Sequence, residues 1–187
     1  GISLDVSRMR FDDDYLERMT PAASAAIVAM AALEGGAIAN ADENRMVGHY
    51  WLRNPDLAPT EEITAEIRDC FESIMEFAKG IHGGDIRGAG GPFENLLLIG
   101  IGGSALGPQL LAKALAGTDC QLPPVFLDNT DPDGIDLVLE QLQTDLDRTL
   151  VVVVSKSGGT PETRNCMLEV QNAYRHAGLE LGRHLQD

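Results

Sequence analysis

Two short stretches combine glycines with hydroxyl side chains at spacings that could hold an anion. The first is Gly100-Ile101-Gly102-Gly103-Ser104-Ala105-Leu106-Gly107. The second is Ser155-Lys156-Ser157-Gly158-Gly159-Thr160-Pro161-Glu162-Thr163, which follows Val151 to Val154. The hydroxyls at 155, 157 and 160 and the Lys156 ammonium are donors suited to phosphate. The glycines let backbone N–H groups turn inward with no Cβ in the way. Pro161 fits the first residue of a helix and Thr160 its N-cap. The second loop therefore opens onto a helix N-terminus, where free N–H groups and the helix dipole favour negative charge. A tight strand–helix turn capped by its own hydroxyls has the same composition, and only the pair of loops shifts the balance towards a ligand site.

The first loop also satisfies a loose dinucleotide pattern, Gly100-x-Gly102-x-x-Ala105, with Asp128 ending the next strand where a ribose-binding acid belongs. Ser104 and the second hydroxyl-rich loop tell against it, since two such loops suit a compact terminal phosphate better than an extended pyrophosphate. The Walker pattern GxxxxGK[ST] is absent.

The elements around the loops read as alternating strands and helices. Leu96 to Ile99, Val125 to Leu127 and Leu150 to Val154 are apolar runs of strand length, the last continuous enough for a strand buried on both faces. Helices follow each: an apolar one through Leu115, one capped by Asp131-Pro132 with Ile135, Val138, Leu139, Leu142 and Leu146 on one face, and one from Pro161 to about Ala177 with Gly178 after it. The order β-α-β-α-β-α calls for a parallel sheet with right-handed crossovers. In strand order 2-1-3 the first and third strands are neighbours, so both loops face one crevice at the topological switch point. Residues 1–92 read as a helical segment. Thr20-Pro21 is expected to begin an alanine-rich helix, and Thr60 another with Ile63, Ile67, Phe71, Ile74 and Ala78 at helical spacing. The segment Glu43 to Arg53 is rich in aromatic and charged residues without a role that composition can assign. Gly83-Gly84 and Gly88 to Pro92 mark a boundary, giving a helical segment 1–92 and an α/β segment 93–187.

The 187 residues are 44% hydrophobic and 23% charged, a soluble globular composition. A net charge of −15 speaks against nucleic acid. It leaves room for a small phosphorylated ligand at a locally positive site. Cys70, Cys120 and Cys166 are odd in number and lack a CxxC, which reads as reduced thiols in a cytoplasmic protein. His49, His82, His176 and His184 lack metal-ligand spacing. No apolar run is expected to span a membrane, and the first residues show no signal-peptide pattern.

The two loops resemble the phosphate-binding segments of the glucose-6-phosphate isomerase family, whose members are built from sugar-isomerase (SIS) domains. The first motif, through Pro108, is close to family-specific. The second departs from the commoner Ser-Lys-Thr-Phe-Thr-Thr-Gln-Glu-Thr form, with Gly158, Gly159 and Pro161 in place of Phe, Thr and Gln, and lies nearer the Ser-x-Ser-Gly pattern of SIS domains generally. The resemblance implies an α/β fold: a helical N-terminal leader and the first half of a doubly wound parallel-sheet SIS domain. It implies that Gly103, Ser104, Ser155, Lys156, Ser157, Gly158, Gly159 and Thr160 bind the phosphate of a sugar phosphate. It further implies interconversion of glucose 6-phosphate and fructose 6-phosphate, in glycolysis and gluconeogenesis, without metal or organic cofactor and in a homodimer of full-length chains. The family's proton-transfer glutamate lies downstream of the second loop, so no catalytic residue is assigned here. Glu162, in the first turn of its helix, reads as a dipole-compensating residue. The chain alone is expected to be inactive, with the far edge of its valine strand left without a partner. Alternative readings are a non-catalytic phosphosugar-binding SIS module and a dinucleotide-binding half-domain.

Overall fold

The computed structural model describes residues 3–117 and 120–186. The backbone forms two compact units, 1–74 and 75–187, that divide within one long helix.

The first unit holds α1 (Tyr15–Glu34), a hairpin of β1 (Ile38–Asn40) and β2 (Arg45–Met46), and the first half of α2 (Glu61–Gly83). Helix α1 begins ahead of Thr20-Pro21, where the sequence places its start. Pro21 sits inside the helix, and the Thr20 hydroxyl donates to the Leu16 carbonyl at 2.9 Å. Proline's missing N–H costs one intrahelical bond there without ending the helix. At the other end Gly35 and Gly36 close α1, Gly36 with φ of 93°. The buried Trp51 donates its indole N–H to the Glu34 carbonyl at 2.8 Å, satisfying one of the last carbonyls. Gly48 is needed beneath it, because a Cβ there would lie 2.7 Å from the indole ring. The Glu43 to Arg53 stretch thus supplies the seal on the end of α1. Thr60 caps α2 by accepting from the Ile63 N–H at 3.3 Å.

One expectation is corrected here. Helix α1 is long and apolar enough to cross a membrane, with a mean hydropathy of 1.2, and none of that window is buried. This is a statement of length and composition alone, which a signal sequence near an N-terminus also satisfies.

The second unit is the α/β body. Strands β5 (Asn95–Ile99), β6 (Pro124–Leu127), β7 (Thr149–Val153) and β8 (Leu185–Gln186) form a parallel sheet in the order β6-β5-β7-β8. The first three reproduce the 2-1-3 order read from the sequence. Its far edge does not: Leu185 and Gln186 pair with Val151 and Val152, so a fourth strand begins within this chain. A two-residue strand has no apolar run to announce it, which is why the sequence leaves that edge open.

Helices α3 (Gly103–Leu115), α4 (Pro132–Leu142) and α5 (Pro161–His176) follow β5, β6 and β7. Right-handed crossovers in this order place α3 and α4 on opposite faces of the sheet. Helices α4 and α5 share one core with Leu97, Ile99, Leu127 and Val151, in which Val170 and Tyr174 are fully buried. The alternate residues Leu96, Leu150 and Val152 pack on the other face with Phe77 and Ile81 of α2. The glycine-rich stretch after α2 forms a small hairpin of β3 (Arg87–Gly88) and β4 (Gly91–Pro92). Gly90 N–H donates to the Asp147 carbonyl at 2.9 Å, and Ala89 N–H to Nε2 of the buried His184 at 3.3 Å. With Nε2 accepting, Nδ1 carries the proton it shares with the Thr149 carbonyl at 3.1 Å.

Candidate functional site: two uncapped helix ends at the switch point

The three main strands end level. Ile99 is opposite Val153 on one side and Leu127 on the other. Val154 N–H donates to the Ile99 carbonyl at 2.8 Å and Gly100 N–H to the Leu127 carbonyl at 3.1 Å. Both glycine–hydroxyl loops therefore leave the carboxyl end of the sheet on adjacent strands, the geometry of a switch-point ligand site.

The first loop turns at Gly102, whose φ of 56° favours glycine. Gly102 is also the N-cap of α3, so this helix has no side chain to cap it. Gly103 is the first helical residue and Ser104 the second, the latter half-buried. A side chain at Gly100 would be tight, its Cβ standing 3.1 Å from the Ser104 Cβ and 3.2 Å from its carbonyl oxygen. Nothing lies within 4 Å of the Cβ positions of Gly102, Gly103 or Gly158, so these glycines face open space.

The second loop folds on its own hydroxyls. Gly158, with φ of 67°, donates its N–H to Ser155 Oγ at 3.1 Å, and Gly159 donates to Ser157 Oγ at 3.2 Å. Thr160 takes the N-cap position of α5 but makes no side-chain capping bond, contrary to the role its type suggests. Its Oγ1 lies 3.4 Å from Ser155 Oγ instead. Lys156, Ser157, Gly158 and Gly159 are exposed, while Ser155 and Thr160 are half-buried.

The contrast with the third helix of the set is informative. The side chain of Asp131 caps α4 by accepting from the Gly134 N–H at 3.1 Å. The helices at the switch point, α3 and α5, lack such caps: in α3 the Ser104 and Ala105 N–H groups turn back to the Ile101 and Gly102 carbonyls at 3.1 and 3.0 Å and leave that of Gly103, while at the start of α5 those of Glu162 and Thr163 face no capping side chain.

Asp128 does not present a free carboxylate to a ribose. Gln109 Nε2 donates to its Oδ2 at 2.7 Å and Asn129 Nδ2 to its Oδ1 at 3.1 Å. Sequence reading missed this pairing, because a glutamine inside a helix carries no local signal of what it reaches. Among the described residues no group of His, Cys, Asp and Glu could hold a metal ion. Two roomy recesses lie elsewhere than between the two loops. One of about 710 Å³ is walled by Trp51, Ile63, Ile67, Phe71 and Ile74 within the first unit. Another of about 700 Å³ runs along Leu106, Leu110 and Phe126 in the second. Their walls are mostly apolar, with Arg68 in the first and Gln109 and Lys113 in the second, whereas the loops gather several hydroxyls, Lys156 and a helix N-terminus.

The family model for phosphoglucose isomerase matches residues 5–183. The chain belongs to the phosphoglucose isomerase family. It is 56% identical over 186 residues to the glucose-6-phosphate isomerase of Geobacter sulfurreducens and 55% over 185 residues to that of a Cyanothece species, each match covering 98% of this chain and 35% of the relative. The crystal structure of a glucose-6-phosphate isomerase from Chlamydia trachomatis superposes with a TM-score of 0.73 at 33% identity, over 94% of this chain and 35% of that one. The chain thus spans about 35% of the length of these isomerases. Membership in the phosphoglucose isomerase family bears out the resemblance read from the two loops, and the α/β fold with a parallel sheet agrees with it.

Proposed function

We propose that this chain forms the phosphate-holding part of an aldose–ketose isomerase that interconverts glucose 6-phosphate and fructose 6-phosphate in glycolysis and gluconeogenesis. The observation that carries this reading is the pair of uncapped helix N-termini, α3 and α5, side by side at the switch point while α4 is capped. Gly103, Ser104 and residues 155–160 are the phosphate ligands in this reading. Lys156 supplies the positive charge, and Ser104, Ser155, Ser157 and Thr160 supply hydroxyl donors. Residues 93–187 then correspond to the first half of an SIS domain and 1–92 to its helical leader. The full-length enzyme acts as a cytoplasmic homodimer, with no nucleic acid or membrane partner.

A phosphate clamp orients the sugar and contributes binding equally to ground and transition states, which gives affinity without rate. Moving a proton between C1 and C2 needs a carboxylate poised over the carbon acid. Asp128 is held at both oxygens. Glu162 occupies the first turn of α5, where it complements the helix dipole. By the family resemblance, the base lies downstream of the second loop in the full-length enzyme.

In a full-length isomerase containing this chain, Ser104→Ala and Thr160→Ala are expected to raise KM with kcat little changed. Each would lose about 1.5–3 kcal/mol of binding to a charged phosphate. An unchanged KM in both variants would overturn the assignment. Saturable micromolar binding of NADH to the chain would instead favour a dinucleotide site.

A further inference from the structure

The turn between β6 and α4 does more than its own geometry requires. Its local needs are met by two bonds: Asp131 N–H donates to Asn129 Oδ1 at 2.8 Å, and Gly134 N–H donates to Asp131 Oδ2 at 3.1 Å. Further bonds run outward from the same turn to helices that are not α4. Gln109 of α3 donates to Asp128 Oδ2 at 2.7 Å, and the buried Cys166 of α5 donates its thiol proton to the Asn129 carbonyl at 3.2 Å. Asn129 Nδ2 joins the two by donating to Asp128 Oδ1 at 3.1 Å. A continuous chain of contacts thus passes over the end of the sheet, from α3 on one face to α5 on the other.

We propose that the Asp128-Asn129 turn is a bracket that sets the spacing of the two phosphate-facing helix ends, with Gln109, Asp128, Asn129 and Cys166 as positioning residues. The inference rests on the phosphate reading of those ends. Gln109 stands six residues beyond Gly103, about 9 Å along α3, and Cys166 five beyond Pro161, about 7.5 Å along α5. Bonds so near the N-termini control where the first-turn N–H groups point. The backbone bond from Gly100 to Leu127 holds the other side of the first loop to the same strand end. The carboxylate at 128 is the acceptor that both neighbouring amides need, which accounts for an acid placed where a ribose ligand is otherwise expected.

Reversing the polarity of one bond tests the bracket. Gln109→Glu sets two carboxylates against each other, whereas after Asp128→Asn alone Gln109 can turn its amide over and accept from position 128. Together, Q109E with D128N restores both contacts, the amide at 128 donating to position 109 and accepting from Asn129. Affinity for glucose 6-phosphate is measured by calorimetry on the chain, and amide signals of Gly102, Gly103, Gly158 and Gly159 by NMR on an isotope-labelled sample. Q109E is expected to weaken binding roughly three- to tenfold and to shift amides in both loops, and D128N alone to change both measurements little. The double variant returns affinity to within about twofold and returns the amide signals. A Q109E variant that leaves both measurements unchanged, or a double no better than Q109E alone, overturns the bracket. Failure of the parent chain to bind glucose 6-phosphate counts against the phosphate reading alone. The amide signals then decide the bracket by themselves: shifts in Q109E confined to the neighbourhood of 109 and 128 overturn it. Loss of folding in a single variant leaves the recovery in the double as the deciding result.

Discussion

Burial changes the chemistry of Cys166 and Tyr174, both fully shielded from solvent. The Cys166 thiol is pushed up by burial and then by the nearby charges of Asp128 and Glu169, which keeps it protonated and able to donate. Burial, and then the charge of Asp147, raises the Tyr174 phenol, which donates to the Thr149 carbonyl at 3.1 Å. Thiol reagents are therefore expected to modify the exposed Cys70 and Cys120 in the native chain and Cys166 only after unfolding. Modification of all three at one rate would contradict this burial. In the unfolded chain these two acids release protons near their ordinary values, about 8.5 for the thiol and about 10 for the phenol. The folded chain holds both protons longer, so stability is full at neutral pH and falls as pH rises through those values. Urea unfolding between neutral pH and about 10.5 checks the sign. Tyr174→Phe should cost about 1 kcal/mol at neutral pH and flatten the decline above about pH 10. At this scale the sequence showed the loop hydroxyls and glycines plainly, because their types are suited to an anion. It could not show that Ser155 and Ser157 accept from their own loop, nor that Thr160 leaves α5 uncapped. Those outcomes depend on which hydroxyl the folded backbone brings within reach.

Helices and strands respond to glycine in ways the structure separates. Gly107 lies inside α3 with nothing within 4 Å of its Cβ position. Gly107→Ala is expected to stabilise the fold by about 0.5–1 kcal/mol, since alanine gives up less backbone freedom. At Gly88, in the hairpin of β3 and β4, a Cβ would stand 2.3 Å from the Asp147 carbonyl oxygen and 2.7 Å from the His184 ring. Gly88→Ala is expected to cost about 1–3 kcal/mol, because a backbone oxygen cannot swing aside. Thermal unfolding should move the two variants in opposite directions, and a shift in the same direction would contradict one of these placements. The same contrast explains what was legible among the elements. The apolar runs of β5, β6 and β7 and the Asp131 cap announce themselves locally, and their order fixes the parallel arrangement. Helix α1 was misplaced because Pro21 has the form of a first helical residue, whereas Thr20 and Leu16 continue the helix around it. The β3–β4 hairpin and β8 are held by residues distant in sequence, through Asp147, His184 and Val151, and such pairings leave no periodicity to read.

At the scale of the whole chain, apolar surface and catalytic capacity lead to two expectations. Helix α1 exposes Leu16, Ile27 and Val28, and α3 exposes Leu106, Leu110 and Leu115. Strand β8 meets only Val151 and Val152 of β7, which leaves Val153 unpaired on that side among the described residues. Exposed apolar faces and open strand edges promote association. Sedimentation of the isolated chain is therefore expected to show larger species as concentration rises, and a single monomeric species across the range would show that these faces are inert. Catalysis is the second expectation. The candidate site at the switch point contains donors suited to a phosphate, one exposed ammonium at Lys156, the Asp128 carboxylate bonded to two amides, and Glu162 exposed in the first turn of α5. On the proposed reading, two positioned loops without a proton acceptor over the sugar carbons would supply binding and no route for the C1–C2 proton. A coupled assay on purified chain, free of host isomerase, should therefore record no conversion of fructose 6-phosphate, even where calorimetry records its binding. Conversion that scales with the chain and disappears in a Ser104→Ala/Thr160→Ala double variant would place a working base within these 187 residues. Asp128 is the first carboxylate to replace in that event, because it ends the strand beside the first loop.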